Sequence, residues 1–130
     1  MKRILTRTLL STSGLLIGLI GGAILISPIP FMEMSDITLE QNPDLISELT
    51  APSGVLLITS AIMLLGAIKL RFADLALLSG VIVYGSYGIS RLFSLLLHGM
   101  PGKSVVTAMI VEIGLAILLM AAKLFSPAPS

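Results

Sequence analysis

The amino-acid sequence predicts an all-α membrane protein: a four-transmembrane-helix bundle with both termini in the cytoplasm. Of the 130 residues, 55% are hydrophobic and 12% are charged, against a charged share of about 25% in a soluble domain. The mean hydropathy is +1.06, more apolar surface than a soluble fold of this length can bury. Four apolar segments each approach the ~20 residues that cross a bilayer core as a helix, and the basic residues cluster in alternate linkers. Together these predict a single membrane domain over residues 1–130.

The first segment, residues 8–26, follows Lys2, Arg3 and Arg7. Such a start resembles a signal peptide, but "SPIPF" follows in place of a small-residue cleavage site, so a retained helix is expected. Gly14, Gly18 and Gly22 recur every fourth residue, and small-residue faces let helix backbones approach closely in lipid. That face can pack inside the bundle, or serve a homo-oligomer or a membrane-protein partner.

Residues 27–50 form an outer loop with Glu33, Asp36, Glu40, Asp44 and Glu48 and no basic residue. Within it, "QNPDLISEL" offers Asn42 as an N-cap, Pro43 at the first helical position and Asp44 in the first turn. This predicts a short helix with Leu45, Ile46 and Leu49 on the membrane surface, interrupted by Pro52 before the second span at 52–68. Lys69 and Arg71 separate that span from the third, at 75–97. "GMPG" then makes a tight turn into the fourth, at 104–122, and Lys123 and the tail "SPAPS", expected to be disordered, follow.

Period-two alternation is absent, and backbone polar groups in lipid must be satisfied within the segment, so the spans are helices. If all four cross, Lys2, Arg3, Arg7, Lys69, Arg71 and Lys123 share one side, and Lys103 with the acidic loop lies on the other. The excess of basic residues marks the cytoplasmic side.

The third span carries Tyr84, Tyr87, Arg91, Ser94 and His98 at spacings of 3, 4, 3 and 4, one stripe of a helix. Arg91 lies about 9 Å inside the outer end and Glu112, on the fourth span, about 12 Å inside, at 1.5 Å per residue. Topology thus brings opposite charges to similar depth, with Glu48 at the outer start of the second span. A charge at mid-membrane costs about 2.5–3.5 kcal/mol on insertion scales, so such groups face inward and find partners. The expected cluster is Glu48, Arg91 and Glu112, supported by Tyr84, Tyr87, Ser94 and His98.

An arginine cannot shed its proton, and its fork can hold one carboxylate while still donating elsewhere. Three readings stay open: an ion pair locking two helices, a pocket where Arg91 meets an anionic or carbonyl group of an amphipathic ligand, and an ion or proton pathway. With no cysteine and one histidine, thiolate or multi-histidine metal centres, iron–sulfur clusters and bis-histidine haem are excluded. No cofactor and no metal are expected. Catalysis has no cysteine, histidine cluster or phosphate-binding motif to work with.

An Arg/Lys-led first helix, "SELTAPSG" opening the second span, "GISRLFSLLLHGMPG" closing the third and a lone Glu in the fourth resemble an uncharacterised family of small four-span bacterial inner-membrane proteins, a domain of unknown function. The matching positions are Glu48, Gly88, Arg91, Gly99, Pro101 and Glu112. The chain departs from the family pattern at His98, where an aspartate is commoner, and at Thr50, where a basic residue is commoner. In architecture alone it is also similar to DoxX-like proteins and to the fungal sterol-synthesis scaffold. The favoured expectation is a non-enzymatic accessory or scaffold protein of the bacterial inner membrane. Its partners are membrane lipids and no nucleic acid, and a lipid or quinone-like ligand sits in its outer-leaflet half. The alternative is a small transporter or channel using Glu112 and Arg91.

Overall fold

The structure, a computed structural model, describes residues 2–125, so the "SPAPS" tail lies outside the described residues. The chain forms α1 (Lys2–Ile26), α2 (Pro28–Glu33), α3 (Pro43–Thr50), α4 (Pro52–Ile68), α5 (Ala73–His98) and α6 (Lys103–Phe125), with a 3-10 turn at Leu70–Phe72 before α5. No strand occurs among the described residues. Four helical stretches, Lys2–Ile26, Pro43–Ile68, Leu70–His98 and Lys103–Phe125, are long and apolar enough to cross a membrane.

Local sequence accounts for the boundaries. Asn42 Oδ1 accepts from the Asp44 N–H at 3.0 Å, and Pro43 follows the cap, so α3 starts where the N-cap pattern puts it. Ala51 keeps helical dihedrals, φ −54° and ψ −45°, so α3 meets α4 directly at Pro52. Proline removes one backbone donor there, which breaks the hydrogen-bond ladder without opening a loop. After α5, Gly99 takes φ +96° and ψ −179°, a region essentially reserved for glycine, and Pro101 follows in the turn to α6. The loop after α1 holds more structure than its sequence suggests. "PIPFME" forms α2, with Pro28 at the start, and Asp36 turns the chain at φ 60°.

The transmembrane helices pack in chain order. α1 lies on α4, α4 on α5 and α5 on α6, whereas α1 and α6 touch sparsely. The bundle is therefore an open ring with a seam between its first and last helices. At the end bearing both termini, Lys2 Nζ donates to the Phe125 carbonyl at 3.2 Å and Lys123 Nζ meets Asp74 Oδ1 at 2.6 Å.

The α1–α4 contact shows how the ring holds. An added Cβ at Gly14 would stand 3.2 Å from Met63 Cβ, one at Gly18 2.5 Å from Ser60 Oγ, and one at Gly21 2.9 Å from Leu56 Cβ. Ser60 Oγ uses that proximity to donate to the Gly14 carbonyl at 2.7 Å. The glycine face of α1 thus meets α4 of the same chain, with one change from the expected set. Gly22 meets nothing within 4 Å, and Gly21 takes its place. Eight residues turn a helix about 80° past two full revolutions, and seven leave it about 20° short.

The core is small and partly polar: Leu10, Met63, Leu77 and Leu119 are buried beside Ser13, Thr59 and Ser60. Large apolar side chains sit on the outside instead. Leu19, Ile58, Ile82, Leu96 and Ile117 are each at least 55% exposed. In water this surface would be prohibitive; in hydrocarbon it is the expected solvent-facing layer.

Candidate functional site: an Arg–Glu pair in a cavity at the open seam

A cavity of about 400 Å³ lies at the end of the bundle away from the termini, where α1 and α6 leave the ring open. Helical periodicity selects its walls. α1 contributes Leu16, Ile17, Ile20 and Ile24, and α6 contributes Ser104, Val105, Ala108, Val111 and Glu112, each set repeating at three to four residues. Val83, Tyr84, Tyr87 and Arg91 come from α5, and Leu56 from α4. Thr107 of α6 and Phe31 and Met32 of α2, with Ser35 and Ile37 beyond it, complete the lining.

Arg91 Nε donates to Glu112 Oε2 at 2.8 Å, with the two side chains 35% and 14% exposed. The pair is side-on: among the described residues, Nε makes the one hydrogen bond of this guanidinium, and neither Nη contributes a second. The Arg91 guanidinium lies 6.0 Å from the centre of the Tyr87 ring, the outer limit for a cation–π contact. Glycine permits the approach of α5 to α6, since a Cβ at Gly88 would fall 2.6 Å from Ile113 Cγ1.

The structure brings together Tyr87, Arg91 and Glu112, with Tyr84 on the same wall. The Tyr84 hydroxyl, however, serves α1, donating to the Ser13 carbonyl at 2.6 Å. Glu48, Ser94 and His98 do not join the cluster. Glu48 is exposed on α3, which packs beside α1, α2 and α4 and away from α5 and α6. Ser94 and His98 are exposed because every residue from Leu92 to His98 except Leu95 stands outside the packed bundle. The 26 residues of α5 span about 39 Å, longer than the ~30 Å hydrocarbon core. The stripe is real helix geometry, but its last two members have no neighbour to face.

Sequence reasoning missed two features. One is the α2 cover, whose signal was Pro28 at a helix start followed by the apolar residues Ile29, Phe31 and Met32. The other is the Asp74–Lys123 pair, readable as an acid opening one helix and a base closing its antiparallel neighbour.

The family model for a domain of unknown function, DUF4345, matches residues 5–123. The chain belongs to this family. Neither the curated proteins nor the solved structures gave a match. For this DUF4345 chain the matched span takes in nearly all of the four transmembrane helices and both members of the Arg91–Glu112 pair. The chain is a multi-pass membrane protein, and the family description assigns it no activity.

Proposed function

We propose that this protein is a non-enzymatic binding or scaffold subunit of a bacterial plasma membrane, holding an amphipathic lipid or quinone-like ligand beside Arg91. One observation carries the reading. Arg91 lines a cavity while only its Nε is engaged, so its two Nη groups retain hydrogen-bonding capacity beside apolar walls. The Arg91 side chain is 35% exposed, so these donors can be reached, and a polar ligand group supplies an acceptor to a charged donor, a stronger bond than one between neutral groups. At about 400 Å³ the cavity falls in the small-ligand range of roughly 300–1,000 Å³, with few polar groups on a mostly apolar lining, as ligand sites have.

Orientation follows from charge. Lys2, Arg3, Arg7, Lys69, Arg71 and Lys123 lie towards the end bearing the termini, and the loop of residues 27–50 is acidic. Placing the termini in the cytoplasm puts the cavity in the outer leaflet.

The test is native mass spectrometry of protein purified in mild detergent. A lipid or quinone mass should accompany the wild type and fall at least about tenfold in Arg91→Gln and in Ala108→Phe, which fills the cavity while leaving the ion pair in place. No bound species across several detergents would end the proposal.

A further inference from the structure

We infer that the site selects a neutral, carbonyl-bearing amphiphile, and that Glu112 is the specificity residue that rejects anions. This deepens the ligand-binding reading and rests on it. Arg91 and Glu112 are the two charged residues of the lining, and they already neutralise each other at 2.8 Å. The rest of the wall is uncharged: aliphatic, aromatic, hydroxylic or, at Met32, thioether. A carboxylate or phosphate head brought to the free side of Arg91 would place a second anion close to Glu112. The site would then carry a net negative charge in a low-dielectric medium, where an unbalanced charge is strongly disfavoured.

A carbonyl meets no such obstacle. It accepts from Arg91 Nη, and a hydrogen bond from a charged donor is stronger than one between neutral groups. The net charge of the site stays at zero. Two further groups fit the same chemistry. Tyr87 lines the cavity and its hydroxyl donates to none of the described residues, whereas that of Tyr84 is occupied by the Ser13 carbonyl. Glu112 Oε1, the oxygen not bonded to Arg91, remains able to accept a ligand hydroxyl. The α1 wall of Leu16, Ile20 and Ile24 suits an apolar tail or ring. A ring quinone and an acyl ester share this chemistry.

The experiment uses methyl decanoate and decanoate, which have the same tail and carbonyl and differ in charge, with decylubiquinone as the ring probe. Binding to the full-length protein is measured in detergent at alkaline pH, with partition controls, by native mass spectrometry and by the shift in thermal unfolding. Wild type should bind methyl decanoate or decylubiquinone at least about tenfold more tightly than decanoate. The tighter of the two neutral probes identifies ester or ring as the natural head. Glu112→Gln should reverse the ranking, because Arg91 is then uncompensated and welcomes a carboxylate. Tyr87→Phe keeps the ring and the ion pair and should weaken the neutral probes several-fold while preserving their lead. Decanoate binding as tightly as its ester in wild type overturns this inference and leaves the ligand-binding reading standing. Binding of none of the three overturns both.

Discussion

Removing the carboxylate of Glu112 leaves the Arg91 guanidinium without its acceptor, and removing Arg91 leaves the Glu112 carboxyl without its donor. Breaking one side of a fully buried pair costs about 3–5 kcal/mol, whereas replacing both partners with apolar residues is often close to neutral. Arg91 is 35% exposed into its surroundings, so about 2 kcal/mol is the expected loss for Arg91→Leu or Glu112→Leu. The double variant should recover most of it, measured as thermal unfolding in detergent. Singles without effect, or a double no better than either single, would show that the pair does not hold α5 against α6. The site can then hold structure and ligand at once. The Nε edge of Arg91 serves the helix pair, while its remaining donors are available to the cavity.

The glycines of α1 set how closely two elements can approach. Gly18→Val puts carbon where Ser60 Oγ now stands, 2.5 Å from the Cβ position, and breaks the Ser60–Gly14 hydrogen bond. Overpacking of this kind costs typically about 1–3 kcal/mol. Gly22→Ala, one turn further along, has open space and should be neutral or stabilising by up to about 1 kcal/mol through helix propensity. Melting curves of the two variants separate a true contact from a sequence repeat. Equal destabilisation by both would contradict the placement of Gly21 rather than Gly22 against α4. The four-residue repeat was legible in sequence; its slow rotation around the helix decided which glycine is used.

At the scale of the molecule, both termini lie at one end and the cavity at the other. With the termini in the cytoplasm, as proposed from the charge distribution, a reporter that matures only there should be active at either terminus, and one inserted in the 38–41 loop should be inactive. Activity at one terminus alone would require an odd number of crossings and would remove the argument that pairs Arg91 with Glu112 by depth.

The sequence by itself determined the apolar surroundings, four helices of membrane-crossing length and the similar depth of Arg91 and Glu112, because hydropathy, segment length and charge placement act through the chain locally or along one helix axis. Antiparallel topology alone brought those two residues level. Which faces meet was decided only by the tertiary structure. Glu48 is exposed on α3, which packs on α1, α2 and α4 rather than on α5 and α6, and Ser94 and His98 share the stripe of Arg91 but rise beyond the neighbours. The open seam between α1 and α6, and the cover formed by α2, depend on how four helices close around one another. That closure is a balance of small-residue contacts between segments distant in sequence, and no periodicity within one segment encodes it.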